Sequence, residues 1–397
     1  MKKCEFLGLA VLVVSAFSGC ATRNTRPPVI PSAQEAGSPA LLGSRGSEET
    51  PQLIEQSRAL PTTSGGELNA AESYQQAMAL YDAMPSDRKF PSEQMDEVGE
   101  KQLCDEIAPI IKLMREAAAV TNCDWGIANA PQGATYAFGP YLHKCRDLGR
   151  VTIWSAAHCH QDNVAETADE LVLILQFITH RVRQDFLMCF LVTASVHNMT
   201  AACIAENAWR FSDTDKARLV QALNDPQFEE NLYLAIDQDA NRILEEAAKV
   251  KSNLTAEVGQ PTADQLLTLA KIREPGELEK KFVTVLNQDE SEYQTWLDEM
   301  RIARASNPYI EPMWDRTEKA VNLGRATLIR HAMVTAGFAV LQFGTTALSN
   351  YPDSATGKPF GYQEDADEFQ LESGFQLRGE PITMIFRRRD DAEVDAP

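Results

Sequence analysis

The segment from Pro140 to Trp209 constrains the fold more than any other part of the chain. In its middle, apolar residues recur at spacings of three and four, which is the pattern of one apolar face on an α-helix. These residues are Val164, Ala168, Leu171, Leu175, Ile178 and Val182. The stretches before and after it carry apolar faces of similar length, so we expect three successive helices that bury one another.

Helical periodicity continues on both sides of this segment and predicts an α-helical domain from 67 to 350. Helices are expected at Glu67–Tyr81, Leu103–Ala117, Ser212–Leu223, Phe228–Lys251, Thr262–Ile272, Leu278–Leu286, Ser291–Ala305 and Met313–Leu348. Pro109 predicts a kink or a break near residue 105, and Pro275-Gly276 predicts a break between two helices. The hairpin Leu148–Arg183 resembles one tetratricopeptide unit, and we interpret it as a local packing solution because no further copies are visible.

After Asn350 the pattern changes to short alternating runs around Phe369–Leu371, Phe375–Leu377 and Ile382–Phe386. These runs predict two or three short strands in a β appendage at 351–389. So few strands need a support, and the preceding helix is the expected one. An acidic tail follows at 390–397. The predicted fold class is therefore all-α, with helical hairpins that are partly tetratricopeptide-like and a small C-terminal β appendage.

The first residues have the pattern of a secretory signal. Lys2 and Lys3 precede an apolar run that ends at Gly19-Cys20. Small residues directly before a cysteine resemble the lipobox of bacterial lipoproteins, in which the cysteine receives a diacylglycerol. We expect residues 1–19 to be a signal peptide and Cys20 to be lipidated. A transmembrane anchor is the alternative, but the run is shorter than the ~20 residues that a spanning helix needs.

From residue 20 to 66 the composition is rich in Pro, Ser, Gly, Thr and Glu. This composition predicts a disordered tether between lipidated Cys20 and the domain. Ala21 follows the lipidated position, where an Asp in related lipoproteins favours the inner membrane. The resemblance therefore implies a lipid-anchored protein of the cell envelope, more consistent with the periplasmic face of the outer membrane than with the inner membrane.

The formal net charge of −20 argues against nucleic-acid binding, which needs a basic surface that releases counterions. The one dense basic run, Arg387-Arg388-Arg389, is followed directly by acidic residues. No nucleic-acid partner is predicted.

Three short passages together resemble a group of uncharacterised bacterial envelope lipoproteins. They are Asn69-Ala70-Ala71-Glu72, Cys123-Asp124-Trp125-Gly126 and Thr356-Gly357-Lys358-Pro359-Phe360. The resemblance implies no activity. The C-terminal passage is also similar to the end of type II secretion pseudopilins. A pseudopilin has a prepilin cleavage site where this chain has a lipobox, which argues against assembly into a pilus.

Four cysteines are candidates for disulfide bonds, because an exported protein folds in an oxidising compartment. Cys145 and Cys159 are two heptads apart on one expected helix, and Cys189 and Cys203 are two heptads apart on another. If these helices are parallel neighbours, the spacing favours Cys145–Cys189 and Cys159–Cys203. The alternative, which we weigh more heavily, is that the thiols are buried as small apolar groups. Cys104 and Cys123 have no comparable geometric argument.

The sequence contains no motif for catalysis, cofactor binding or metal binding. In His158-Cys159-His160 the two imidazoles would point to opposite sides of a helix, so we interpret the cluster as a polar helix end. His197 and His331 lie on apolar faces and are expected to be hydrogen-bonded core histidines. No nucleophile elbow, phosphate loop or dinucleotide fingerprint is present.

Two functions remain. The first is a membrane-tethered helical scaffold or interaction lipoprotein that binds an envelope protein in a groove between helices and has no catalytic activity. The alternative is an envelope hydrolase whose active-site residues are dispersed along the chain. A deep cleft lined by an imidazole and a carboxylate would favour the hydrolase, and a shallow groove would favour the scaffold.

Overall fold

The computed structural model describes residues 68–86, 88–89, 95–125, 135–182, 187–258, 262–286 and 290–388, which lie in one unit spanning Pro61–Pro397. The described part consists of α-helices followed by a small antiparallel sheet, so the predicted fold class is confirmed. The predicted signal peptide, lipidated Cys20, tether and acidic tail lie outside the described residues.

The α-helices are α1 (Ala70–Ala83), α2 (Glu97–Ala118), α3 (Thr135–His158), α4 (Val164–Gln176), α5 (Leu187–Glu206), α6 (Asp213–Leu223), α7 (Gln227–Val258), α8 (Ala263–Leu286), α9 (Glu290–Ser306) and α10 (Ile310–Phe343). A π-helix, Phe177–Arg181, continues α4, and a 3₁₀-helix, Thr345–Asn350, follows α10. Local sequence fixes several helix starts. The side chains of Asn69 and Ser212 accept hydrogen bonds from backbone N–H groups in the first turns of α1 and α6.

Helix α5 lies at the centre of the fold and packs against α3, α4, α7, α10 and the sheet. Its apolar residues surround the helix instead of forming one stripe, as expected for an element buried on all sides. Among the described helices, α5 and α10 are long and apolar enough to cross a membrane. However, 67% and 61% of their most apolar windows are buried within the fold.

The sheet consists of β1 (Gly361–Glu364), β2 (Glu368–Leu377) and β3 (Glu380–Arg387) in the order β1-β2-β3. The runs around Phe369 and Phe375 form one strand, β2, with an irregularity between Glu372 and Gln376. One face of the sheet packs on α10, as expected, and also on α5.

The predicted break at Pro275-Gly276 is wrong, because α8 runs through both residues. A proline removes the donor that would reach the carbonyl four residues earlier, here Lys271. Asn307, which is buried at the end of α9, supplies a replacement: its Nδ2 donates to the Lys271 carbonyl at 2.7 Å. Gly276 lies against α7, where an added Cβ would be 2.9 Å from the Ala240 carbonyl oxygen. Pro109 likewise lies inside a continuous helix, α2.

The proposed disulfide pairs are also wrong. Cys159 is bonded to Cys104, with the two Cα atoms 5.5 Å apart, and not to Cys203. Cys145, Cys189 and Cys203 are buried and form no disulfide, as the alternative interpretation expected. Helices α3 and α5 are neighbours, but adjacency of the helices does not by itself bring the predicted cysteine pairs into bonding position. Cys159 lies just beyond α3, where the chain turns and its side chain faces α2 instead.

Candidate functional site

A π-helical turn lies where three parts of the fold meet. Residues Phe177–Arg181 continue α4 with wider hydrogen bonding, and Val182 N closes the turn onto the Phe177 carbonyl at 3.2 Å. Single π-turns are rare and frequently occur at functional sites, because the extra residue re-aims neighbouring side chains. The turn is therefore a candidate functional site.

Hydrogen bonds connect this turn to the segment that follows α2 and to α7. The Arg181 guanidinium donates to the carbonyls of Val120 and Thr121, just after α2, at 2.7 Å each. Trp125 Nε1 donates to the Arg181 carbonyl at 2.7 Å. On the other side, Asn231 of α7 donates to the Thr179 carbonyl at 3.0 Å. These bonds hold the turn firmly between the N-terminal helices and the central ones.

Next to the turn lies a pocket of about 130 Å³, which we call the π-helix pocket. It is lined by Tyr74, Ala118, Gln176, Phe177, His180 and Arg181. The side chains of Gln176 and His180 are exposed, whereas Tyr74 and Phe177 are buried. An aromatic cluster supports the pocket, with ring centroids 4.5 Å apart between Tyr74 and Phe177 and 5.8 Å apart between Tyr74 and Trp125.

Tyr74 carries a polar atom without a hydrogen-bond partner. The residue is 0% exposed, and its hydroxyl has no partner among the residues that the structure describes. Burial raises the pKa of Tyr74 above its ordinary value, and the charge of nearby Arg181 opposes that rise only in part. The hydroxyl therefore keeps its proton and remains a hydrogen-bond donor at neutral pH.

His180 at the pocket edge is paired with an acidic residue. Its Nε2 lies 2.8 Å from Asp225 Oδ2, in the turn before α7. A histidine oriented by a carboxylate is the arrangement of many general bases. The six lining residues include no serine, threonine or cysteine that this imidazole could activate.

A pair of histidines lies in the core, where both residues were expected to be buried. His197 Nδ1 is 3.3 Å from His331 Nε2, and His197 Nε2 is 2.8 Å from Thr179 Oγ1 in the π-turn. Burial lowers the pKa of His331 to about 3 and holds that of His197 well below its usual value. Both imidazoles are therefore neutral at physiological pH, and their role is to connect the π-turn, α5 and α10.

The His158-Cys159-His160 cluster is divided among separate structural contacts. His158 stacks on Trp154 with ring centroids 4.7 Å apart, and Cys159 forms the disulfide. The His160 nitrogens contact Glu166 at 2.9 Å and the buried Glu170 at 2.8 Å. Within the described ranges, no group of three His, Cys, Asp or Glu residues could hold a metal ion.

Comparisons with protein-family models, with curated proteins and with solved structures find no match to this chain.

Sequence reasoning missed the pocket because its residues are far apart in the chain and belong to no motif. Two signals were available. The apolar period of α4 continues through Ile178 and Val182 although His180 and Arg181 interrupt it, and Trp125 is a large aromatic residue outside the expected helices. In the structure Trp125 donates a hydrogen bond to the π-turn and packs on Tyr74.

Proposed function

We propose that this protein is a lipid-anchored interaction protein of the bacterial cell envelope that binds another envelope protein and has no turnover of its own. The observation that carries this proposal is the size and placement of the π-helix pocket. Its volume of about 130 Å³ is below the ~300–1,000 Å³ of typical small-molecule sites and suits a single side chain. Small pockets on a rigid surface commonly receive the anchor residue of a partner.

The sequence supports the cellular part of the proposal. The lipobox-like Gly19-Cys20 favours an anchor, Ala21 favours the outer membrane facing the periplasm, and residues 20–66 provide a tether. Two or more acyl chains make membrane attachment lasting, at about 0.8 kcal/mol per buried methylene.

The anchor is tested by the variant Cys20→Ala. We expect the wild type to pellet with membranes and the variant to appear in the soluble fraction. If the variant pellets like the wild type, the proposal of a lipid anchor on Cys20 is wrong.

The partner site is tested by photo-crosslinking in intact envelopes. A photo-reactive residue in place of Gln176 at the pocket edge should give a discrete adduct. The substitution Ala118→Phe, which fills the pocket without removing a polar group, should abolish that adduct. Ala119→Phe is the matched control, because Ala119 is exposed, adjacent in sequence and not part of the lining. Equal adducts from both variants would show that the pocket is not the binding site.

The alternative function, an envelope hydrolase, is favoured by one observation, the His180–Asp225 pair beside the pocket. Its test is a broad hydrolase screen of the full chain and of His180→Ala. Robust turnover that the substitution abolishes would replace the interaction proposal with the hydrolase.

A further inference from the structure

The disulfide Cys104–Cys159 is bracketed by contacts that join the same two parts of the fold, α2 and the turn after α3. On one side, His158 Nδ1 lies 3.4 Å from Glu100 Oε1. Glu100 is one helical turn before Cys104 on α2, and His158 directly precedes Cys159. The imidazole and the carboxylate therefore span the same gap as the two sulfur atoms.

The other flank of Cys159 is held in the same way. His160 Nε2 lies 2.8 Å from Oε1 of buried Glu170, and Arg115 of α2 donates to that oxygen at 3.0 Å. Arg210 donates to the carbonyls of His160 and Gln161 at 3.3 and 2.6 Å. None of these contacts uses a sulfur atom, so all of them remain available when the S–S bond is broken.

The disulfide is also more accessible than the free thiols of the core. Cys104 and Cys159 are half-buried, whereas Cys145, Cys189 and Cys203 are buried. Exchange needs an attacking thiolate to reach a sulfur atom, and exposed disulfides are the labile and regulatory ones. A reductant from solvent therefore meets this bond before it meets a buried thiol.

Together, the flanking contacts and the exposure predict a bond that breaks and re-forms in the folded protein. After reduction, the contacts hold the two thiols next to each other, and groups fixed in this way react as if at high local concentration. This arrangement gives the His158-Cys159-His160 segment a role, because its two imidazoles position the cysteine between them.

We propose that Cys104–Cys159 is a reversible redox site that is reduced by a protein dithiol, through thiol–disulfide exchange, without unfolding of the protein. The partner's thiolate attacks one of the two sulfurs to form a mixed disulfide, and the other sulfur leaves as a thiolate and takes up a proton. The partner's second thiolate then displaces the remaining sulfur, which also takes up a proton. The bond is thereby reduced to two thiols, and the partner's two thiols are oxidised to a disulfide. This proposal goes beyond the interaction function and does not depend on it.

The first test uses the wild-type full chain in a non-ionic detergent, with its own core thiols as the control. Accessible free thiols are blocked with a light alkylating reagent, dithiothreitol is added, and newly formed thiols are labelled with a heavy reagent for mass spectrometry. We expect heavy label on Cys104 and Cys159, none on Cys145, Cys189 and Cys203, and an unchanged circular dichroism spectrum. Labelling of all five cysteines at the same rate would overturn the proposal, because reduction would then require unfolding. Failure of dithiothreitol to reduce the bond in the folded protein would overturn it as well.

The second test measures whether the two thiols stay together after reduction. The protein is equilibrated in glutathione buffers of varied ratio, and the proportion of disulfide to dithiol gives the effective concentration of one thiol near the other. We expect this value to be at least about tenfold higher in the folded protein than in urea, because folding places the two thiols together. Equal values would count against the proposal, since the flanking contacts would then not hold the reduced thiols in place.

The third test locates the exchange with a protein dithiol. The probe is a purified Cys-x-x-Cys protein whose second cysteine is replaced by alanine, so that the mixed disulfide accumulates. We expect an adduct with the wild type and none with the double variant Cys104→Ser, Cys159→Ser. Cys123→Ser is the matched control, because Cys123 is a half-buried free thiol, and this variant should form the adduct like the wild type. No adduct with the wild type, or an adduct that the double variant retains, would refute exchange at this disulfide.

Discussion

At the scale of single residues, two buried carboxyl groups differ in their hydrogen-bond and ion-pair partners. Asp239 on α7 forms ion pairs with Arg242 and with Arg316, the latter at 3.3 Å. Glu279 on α8 has a neutral partner, the Thr317 hydroxyl at 2.8 Å. Burial first, and the negative charge of Asp239 second, raise the pKa of Glu279 from 4.5 to about 8. Glu279 is therefore protonated at neutral pH.

The raised pKa makes stability depend on pH. Because the folded state binds this proton more tightly than the unfolded chain, Glu279 stabilises the fold fully below pH 4.5, and that contribution is lost as the pH rises through about 8. Glu279→Gln keeps a neutral side chain of the same shape. We expect the variant to be more stable than the wild type at pH 9 by roughly 4 kcal/mol and within about 1 kcal/mol of it at pH 5. Urea unfolding at the two pH values measures the difference.

Glu277→Gln is the control for this prediction, because Glu277 lies on the same helix with an exposed side chain. Glu277→Gln should change the free energy of unfolding by the same amount at pH 5 and at pH 9. Parallel pH profiles for the wild type and Glu279→Gln would show that Glu279 is not protonated in the fold.

At the scale of elements, the π-turn is held by a side-chain contact with the core. Thr179 is buried, and its hydroxyl is 2.8 Å from His197 Nε2. Since His197 also contacts His331, this contact connects the turn to both α5 and α10. The stability of the turn therefore depends on side chains far away in sequence.

The substitution Thr179→Val removes the hydroxyl and keeps the shape of the side chain. We expect a loss of about 1–3 kcal/mol in unfolding free energy, because a nitrogen of buried His197 loses its partner. Thr200→Val is the matched control, since the hydroxyl of buried Thr200 bonds to the Val196 carbonyl of its own helix at 2.9 Å. Equal losses in the two variants would argue against a special role for the Thr179–His197 contact.

The disulfide Cys104–Cys159 ties α2 to the end of α3 across a sequence separation of 55. For a loop of this length the chain-entropy model gives a stabilisation of about 4 kcal/mol. We expect Cys104→Ser with Cys159→Ser to lower the unfolding free energy by roughly 2–4 kcal/mol. Non-reducing peptide mapping of the unfolded wild type should leave Cys145, Cys189 and Cys203 open to alkylation. A peptide joining Cys145 to Cys189 or Cys159 to Cys203 would restore the pairing that the sequence spacing suggested.

At the scale of the whole molecule, the small sheet packs into a hydrophobic core that it shares with the helices. Phe369 and Phe386 are buried and stacked with centroids 5.0 Å apart, in a core shared with α4, α5, α6 and α10. The sheet approaches α10 closely at Gly337. A Cβ added there would lie 2.2 Å from the Phe386 ring. A glycine is therefore required at this helical position by packing.

The substitution Gly337→Ala tests this arrangement. Alanine normally favours a helix over glycine by about 1 kcal/mol, so a loss of stability would come from the overlap with Phe386. We expect a net loss of about 1–3 kcal/mol in denaturant unfolding, and partial rescue by the second substitution Phe386→Leu. Gly324→Ala is the control, because its nearest neighbours would be 3.1 and 3.2 Å away and its cost should be smaller. A stabilised Gly337→Ala variant would contradict the packing.

The sequence by itself determined the elements of this protein. Helical periodicity and the alternating C-terminal runs are local properties, so they predicted an all-α domain followed by a small sheet. The burial of His197 and His331 was predicted in the same way, from the apolar faces around them.

Tertiary structure alone decided which elements meet. Asn307 keeps α8 continuous across Pro275 by bonding to the Lys271 carbonyl, and Cys159 pairs with Cys104 because the turn after α3 faces α2. The π-helix pocket likewise joins Tyr74 of α1, Ala118 of α2 and Arg181 of the π-turn. None of these contacts follows from local periodicity, because each depends on the packing of helices that are distant in the chain.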